Sequence, residues 1–216
     1  MENNILLESM NQFLDDLSSN KPTPGGGSVA AVVGALGEGL VLMVSNFTTG
    51  KEKYKDVQNL VNEAIELGNN YLDKFKEFTL EDIKVYQKVR SAYKLPNETD
   101  EEKTIRKHEI NKKVHEALLT PLLVLEYCEK AMDLLEKIYE KFNMNLISDF
   151  GVACKLFEAS AYSAYLNIII NENSLTKDYK EQNNINYGAK AYDLCENKIK
   201  KISDKIYKDI VEMLNK

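Results

Sequence analysis

The chain has 216 residues, of which 44% are hydrophobic and 29% are charged. This length and composition suit one globular domain with a full core, and they exclude collagen-like, disordered and low-complexity proteins. The net charge of -6 has the wrong sign for a protein that neutralises many phosphates, so nucleic acid is not an expected partner.

The three cysteines and the apolar segments indicate a reducing, aqueous compartment. Cys128, Cys154 and Cys195 are too far apart for a CxxC motif and too few for a disulfide framework. The N-terminal residues lack the basic and apolar pattern of a secretory signal. The most apolar stretch, 29–44, contains Glu38 and is shorter than a membrane span. We therefore expect a cytoplasmic protein without membrane contact, and a buried helix at 29–44.

Helical periodicity begins near the N-terminus. Apolar residues recur every three to four positions from Ile5, which predicts a helix ending near Ser18. The segment 21–28 holds two prolines and three consecutive glycines, so neither a helix nor a strand is expected there. Ser28 is a suitable N-cap for the helix that follows.

A long amphipathic helix is predicted next. Its apolar residues alternate three and four positions apart from Val57 to Phe78. Thr79 and Asp82 then have the spacing of a capping box, which predicts the start of a further helix.

The second half of the chain continues the helical pattern. Thr99 and Glu102 form another candidate capping box. The segment 100–142 exceeds a typical helix, and Pro121 inside it is predicted to kink or break it. Helices are also predicted from about Ser148 to Ile170 and at the end of the chain.

The fold class follows from these patterns. No stretch alternates with the period of two that is typical of strands, so no sheet is expected. We predict an all-α, single-domain bundle of six to eight long helices spanning residues 1–216. Small residues at four-residue spacing between Ala30 and Gly39 indicate either a central core helix or a subunit interface.

The glycine-rich segment is the most informative local motif. Gly25, Gly26 and Gly27 precede a helix, where free backbone N–H groups make a natural anion pocket. The segment lacks the Lys and Ser/Thr ending of a P-loop and follows a helix rather than a strand. A plain loop therefore remains an equal alternative.

Three carboxylates stand in largely apolar helices. Glu38, Asp82 and Asp149 would be costly to bury in ionised form, so each is capped, paired or functional. Asp82 as a capping residue and Asp149 in a first helical turn remain open alternatives. His108 and His115 are seven residues apart rather than four, so no metal site is expected.

Five motifs in order resemble the cyclodeaminase/cyclohydrolase family, and they span nearly the whole chain. They are Pro24-Gly25-Gly26-Gly27-Ser28, Gly50-Lys51-Glu52-Lys53-Tyr54, Leu95-Pro96 with Glu101-Glu102-Lys103 and Arg106, Ser148-Asp149, and Asn167-Ile168-Ile169-Ile170-Asn171.

The resemblance implies an all-helical homodimer that performs folate one-carbon chemistry. A cyclodeaminase closes 5-formiminotetrahydrofolate to 5,10-methenyltetrahydrofolate with loss of ammonia. The alternative, a methenyltetrahydrofolate cyclohydrolase, opens the methenyl bridge with water to give 10-formyltetrahydrofolate. Both reactions need proton transfer, and no cofactor is expected beyond tetrahydrofolate as the carrier of the substrate.

The same resemblance implies the site residues. Asp149 is the expected general acid or base, and Asp82 is the expected second carboxylate. The implied substrate-binding positions are Gly25, Gly26, Gly27, Ser28, Lys51, Lys53, Arg106, Ser148, Asn167 and Asn171.

Two groups of these binding residues have distinct expected roles. Asn167 and Asn171 are one helical turn apart and can offer amide hydrogen bonds to a pterin or to the one-carbon bridge. Lys51, Lys53 and Arg106 supply positive charge for the glutamate tail of folate.

The chain departs from the family pattern at Phe142, Asn97 and Glu38. Two other functions remain open at this point. One is a non-catalytic helical module for dimerisation or binding, and the other is an enzyme acting on a different small cyclic amidine.

Overall fold

A computed structural model describes residues 9–216, which form α-helices and short connections with no β-strand in that range. The predicted all-α class is therefore confirmed. Of the first predicted helix, residues 5–8 lie outside the described range, and the rest ends at Leu17 with Ser18 as its C-cap. The helices are Met10–Leu17 (α1), Gly26–Thr48 (α2), Gln58–Ala92 (α3), Asp100–Ile138 (α4), Ile147–Ser174 (α5), Lys177–Gln182 (α6), Tyr187–Leu194 (α7) and Lys200–Leu214 (α8).

Four long helices, α2 to α5, form the core of the bundle. Helices α2 and α4 each pack against both α3 and α5, and α8 packs against α5. A π-helical turn at Cys195–Ile199 joins α7 to α8. The three cysteines are buried and free. The largest fully buried apolar side chains are Phe75, Phe142, Phe150, Phe157, Leu118, Met132 and Leu135.

Glycines in α2 allow neighbouring helices to approach closely. A Cβ atom at Gly34 would overlap the ring of Phe75 in α3, and one at Gly27 would overlap the carboxylate of Asp82. These two contacts are seven residues apart on both helices, which is about two helical turns. Helices α2 and α3 are therefore antiparallel and packed in a heptad register. On the α5 side, a Cβ at Gly37 would overlap the ring of Phe157.

Helix α3 runs without interruption, so the predicted helix start at Thr79 is wrong. Thr79 is buried and donates its hydroxyl to the carbonyl oxygen of Phe75 at 2.9 Å. Asp82 follows Phe78 by four residues, which continues the alternation of three- and four-residue steps that begins at Val57. Contacts along this buried face hold the helix together across a sequence that locally resembles a start signal.

Of the two outcomes predicted for Pro121, a kink or a break, the helix does not break, because α4 continues through this residue. Because proline has no N–H, the carbonyl group of Ala117 loses its helical donor. Asn171 of α5 supplies a replacement, since its Nδ2 donates to the Ala117 oxygen at 3.5 Å. A side chain of the neighbouring helix thus repairs the interrupted hydrogen-bond ladder.

Of the two predicted N-caps, one is confirmed and the other is wrong. Thr99 and Glu102 each accept a hydrogen bond from the other's backbone N–H, so the capping box of α4 is confirmed. Ser28 is not an N-cap, because α2 begins two residues earlier with Gly25 as its N-cap. The Ser28 hydroxyl instead donates to Asp82 of α3.

Glu38 lies in the middle of α2 and is completely buried. Neither of its carboxylate oxygens has a hydrogen-bond partner among residues 9–216. It packs against Gly68 of α3, where a Cβ atom would lie 2.7 Å from Oε1. Burial raises the pKa of Glu38 to about 8, so the group is mostly protonated at neutral pH.

Helix α2 is long and apolar enough to cross a membrane by length and composition. Half of its apolar window is buried inside the bundle, which is common for the core helix of a soluble protein. No residue in 9–216 covers the opposite face, and Leu36 and Phe47 are 50% and 55% exposed there.

Candidate active site

The start of α2 meets the side chain of Asp82. The Ser28 hydroxyl donates to Asp82 Oδ2 at 2.7 Å, and the backbone N–H of Ser28 donates to the same carboxylate. Gly27 is required at its position because any Cβ atom there would overlap this carboxylate. The anion that a helix N-terminus favours is thus provided by the protein itself.

The environment of Asp82 favours proton exchange. Burial raises the pKa of the Asp82 carboxyl, and the two hydrogen bonds from Ser28 lower it; burial prevails, so the pKa stays above its ordinary value. A half-buried carboxyl group with a raised pKa is suited to accept and return a proton.

Asn167 of α5 joins this group from the other side. Its amide lies 3.7 Å from the place where a Cβ atom of Gly26 would be. Its Nδ2 donates to the carbonyl oxygen of Ser163 at 2.8 Å, which fixes the orientation of the amide. Three helices therefore bring Gly26, Gly27, Ser28, Asp82 and Asn167 together, and we call this group the Asp82 site.

Asn171 follows Asn167 by one turn of α5, but its Nδ2 faces the carbonyl group freed by Pro121. Gly25 is the N-cap of α2, and a Cβ atom there would meet nothing within 4 Å. Both residues therefore border the Asp82 site.

Asp149 and Ser148 lie at the other end of the molecule. Both belong to the first turn of α5, where Asp149 is half-buried and Ser148 is exposed. Eighteen residues of α5 separate Asp149 from Asn167, which corresponds to roughly 27 Å along the helix. One chain therefore does not bring Asp149 and Asp82 together.

Lys51 and Lys53 also lie at that far end, in the connection after α2. The Lys51 Nζ is 5.9 Å from the ring centroid of Phe47, and the Lys53 Nζ is 5.4 Å from that of Tyr54. The Tyr54 hydroxyl donates to Asn143 Oδ1 at 3.5 Å. This contact ties the Gly50–Tyr54 motif to the start of α5, and it gives the motif a structural role as well.

Arg106 lies at the same end of the bundle as the Asp82 site. It belongs to α4, and its Nη2 donates to the carbonyl oxygen of Tyr93 at 2.9 Å. Of the three cations predicted for the glutamate tail, only Arg106 thus lies at the Asp82 end of one chain, at the level of Tyr93, eleven residues of α3 beyond Asp82. Arg106 lines a cleft of about 390 Å³.

The described residues contain no group of three His, Cys, Asp or Glu side chains placed to hold a metal ion. His108 is exposed, and His115 Nδ1 is 3.3 Å from the Tyr179 hydroxyl.

The sequence analysis missed two features of the site. The first had a signal in the sequence. The alternating spacing from Val57 to Phe78 reaches Asp82 at its next step, which places a carboxylate in a buried heptad position. The contact between Asn171 and Ala117 had no local signal, because 54 residues separate the two.

Known proteins are similar to this chain in both sequence and fold. The family model described as formiminotransferase-cyclodeaminase matches residues 9–190. A methenyltetrahydrofolate cyclohydrolase from Methylorubrum extorquens is 39% identical over 168 residues, covering 78% of this chain and 81% of that protein. The formimidoyltransferase-cyclodeaminase of Rattus norvegicus is 29% identical over 182 residues. That match covers 84% of this chain and only 34% of the rat protein.

A solved structure covers the whole fold. The crystal structure of formiminotetrahydrofolate cyclodeaminase from Thermotoga maritima has a TM-score of 0.78 at 27% identity, covering 98% of both chains. The helical bundle therefore belongs to the class of all-α cyclodeaminase-like enzymes. This chain is a member of the formiminotransferase-cyclodeaminase family, and the resemblance seen in the sequence motifs is confirmed.

Proposed function

We propose that this chain opens the methenyl bridge of 5,10-methenyltetrahydrofolate with water to give 10-formyltetrahydrofolate. The cyclohydrolase of Methylorubrum extorquens supports this reaction, since the match covers most of both chains at 39% identity. The observation that carries a hydrolytic role is the Asp82 carboxyl, half-buried, held by Ser28 and raised in pKa.

The chemistry requires three proton movements and no change in oxidation state. Water adds to the bridge carbon and loses one proton. N5 then leaves that carbon with a proton, and the remaining hydroxyl proton is released to solvent, so that the formyl group stays on N10. Asp82 accepts the first proton and returns it to N5. The Asn167 amide orients the bridge or the pterin. We propose no metal or redox cofactor, because these steps move only protons and the C–N bond.

Cyclodeamination is the second candidate, favoured by the Thermotoga maritima cyclodeaminase that matches over 98% of both chains. In that reaction N10 attacks the formimino carbon and ammonia leaves. The same carboxyl would protonate the departing nitrogen. Both reactions therefore use one proton carrier at one site.

The near-ultraviolet absorbance of 5,10-methenyltetrahydrofolate distinguishes the two. We expect the protein to accelerate the loss of this band above the enzyme-free rate when methenyltetrahydrofolate is the substrate. Appearance of the band from 5-formiminotetrahydrofolate, with release of ammonia, would identify a cyclodeaminase. If the protein is folded and neither rate exceeds the rate in buffer alone, the proposed function is wrong.

We further propose that the chain is a homodimer built on α2 and α5. These neighbouring helices expose apolar stripes, and such a continuous face usually marks an interface. The stripe residues that are at least half exposed are Leu36, Phe47, Val152, Leu166 and Ile170.

A two-fold dimer would bring the two ends of the site together. If two copies of α5 cross in antiparallel fashion near Ala159, which is exposed, Asp149 of one chain reaches the level of Asn167 of the other. The composite site would then contain both carboxylates. Light scattering should give twice the 24.6 kDa mass of one chain; a mass of one chain would contradict the composite site.

A further inference from the structure

Helix α3 continues past the point where α2 begins. Gly27 of α2 lies against Asp82, and the two helices are antiparallel, so the part of α3 that follows Asp82 soon has no turn of α2 beside it. Thr79 and Tyr86 show this change, because they are seven residues apart and occupy equivalent positions on α3. Thr79 is completely buried, whereas Tyr86 is 43% exposed. The ring of Tyr86 is thus open to a ligand just beyond the start of α2.

Tyr86 lies on the same face of α3 as Asp82. It follows Asp82 by four residues, which places the two Cβ atoms about 6 Å apart. A side chain in a helix is inclined towards the N-terminus of its own helix, over the turn that precedes it. For Tyr86, that turn carries Asp82. The aromatic ring therefore adjoins the carboxyl group to which we assign the proton transfer.

Helix α5 supplies a polar side chain at the same level as Tyr86. This helix is also antiparallel to α2, and Asn167 lies against Gly26. Asn171 is one turn further along α5, so it is one turn past the start of α2, as Tyr86 is on α3. The Asn171 side chain is half-buried. Since α3 and α5 are the two neighbours of α2, a group that extends from the Asp82 site past the start of α2 lies between Tyr86 and Asn171.

The proposed substrate carries an aromatic ring at a matching distance. In 5,10-methenyltetrahydrofolate the p-aminobenzoyl ring is bonded directly to N10, so its centre is roughly 4 Å from the bridge carbon at ordinary bond lengths. With the bridge one hydrogen-bond length from Asp82, about 3 Å, the ring centre lies within roughly 7 Å of that carboxyl group. This range includes the spacing of one helical turn. The pterin matches less well, because two carbon atoms of its reduced ring are tetrahedral and interrupt its flat surface.

We propose that Tyr86 stacks on the p-aminobenzoyl ring of the substrate and thereby selects compounds that carry this ring on N10. This inference rests on the proposed function for the identity of the substrate. Stacking uses the face of the tyrosine ring, so the hydroxyl group of Tyr86 is not required for it. Phenylalanine should therefore replace Tyr86 without loss, whereas an aliphatic side chain should not.

The test measures binding without turnover by proton NMR, using p-aminobenzoylglutamate as the probe and N-acetylglutamate as its match without the aromatic ring. We expect saturable binding of p-aminobenzoylglutamate to the wild-type chain, with its ring protons shifted upfield by the facing aromatic ring. Tyr86→Leu should weaken this binding about tenfold and abolish the upfield shift. Tyr86→Phe should keep the affinity within about twofold. Neither variant should alter the weaker binding of N-acetylglutamate.

The matched control is Tyr192→Leu, which removes a tyrosine ring of α7 that is 51% exposed and packs against Tyr165. This variant should bind the probe and shift its ring protons as wild type does. Leucine is a good helix former, so both leucine variants should fold. The inference would be overturned by an upfield shift that persists in Tyr86→Leu, by equal loss in Tyr192→Leu, or by the absence of saturable binding to wild type. Weakened binding of 6-methyltetrahydropterin to Tyr86→Leu, with unchanged binding of the benzoyl probe, would also overturn it.

Turnover separates this inference from the proposed function. Tyr86→Leu should raise KM for methenyltetrahydrofolate about tenfold with little change in kcat, because stacking stabilises the ground state and the transition state alike. Probe binding with the upfield shift but without any turnover would retain the role of Tyr86 and reject the proposed reaction. Turnover with the same KM in Tyr86→Leu and Tyr192→Leu would retain the reaction and reject the stacking.

Discussion

Mixing two inactive variants should restore activity. We expect Asp82→Asn and Asp149→Asn each to lower kcat by about 10²- to 10⁴-fold, because an amide cannot carry the proton. Asparagine at position 82 can still accept the hydrogen bond from Ser28, so the fold should survive. If the site combines Asp82 of one chain with Asp149 of the other, a heterodimer of the two variants has one intact site.

The expected recovery of activity follows from random pairing of the two variant chains. After unfolding and refolding an equimolar mixture, half of the dimers are mixed, and about one quarter of wild-type kcat should return. No recovery in a mixture of folded dimers would contradict a site shared between chains. Asp73→Asn is the control, since Asp73 lies on α3 with an exposed side chain and its ion pair with Lys76 is a surface contact.

Replacing Glu38 with Met should stabilise the protein, and most strongly at alkaline pH. The folded-state pKa of Glu38 is raised to about 8 from an ordinary value of 4.5. Between these values the unfolded chain ionises while the folded chain holds its proton, so wild-type stability falls as pH rises. The loss is about 1.4 kcal/mol per pH unit and levels off above pH 8. Below pH 4.5 the carboxyl group is neutral in both states and this loss is absent.

Urea unfolding at pH 5, 7 and 8.5 checks this prediction. The advantage of Glu38→Met over wild type should grow by several kcal/mol across this range. Met is unbranched and adapts to irregular core space, so it fits beside Gly68. Glu66→Met, at an exposed position of α3, should leave the pH dependence of wild type unchanged. Parallel stability curves for wild type and Glu38→Met would show that Glu38 does not titrate between the two states.

The sequence predicted features that depend on residues close in the chain. It failed for features that depend on residues far apart in the chain. The capping box at Thr99 and Glu102 was predicted correctly because its donors and acceptors are four residues or fewer apart. The break at Pro121 was predicted from the missing N–H alone. The compensating donor, Asn171, comes from another helix and has no local signature.

The candidate site was predicted in part for the same reason. The family resemblance named Asp82, Ser28 and Asn167, which the structure brings together. The resemblance assigned Asp149 to the same site as Asp82, but one chain holds them at opposite ends, because their relative position depends on the packing of whole helices. Ser28 was misread as a cap, since its acceptor lies 54 residues away in α3.

The heptad packing of α2 on α3 makes the site dependent on axial register. Two smooth helices could slide past each other by one turn, a shift of 5.4 Å, with little change in buried area. The ring of Phe75 seated over Gly34 opposes such sliding, because it occupies space that even one Cβ atom would fill, at 2.5 Å from the ring. The contact between Phe75 and Gly34, two turns deeper in the core, therefore fixes the axial position of Asp82 relative to Ser28. Substitutions at Gly34 would therefore act on the position of the carboxylate without touching it.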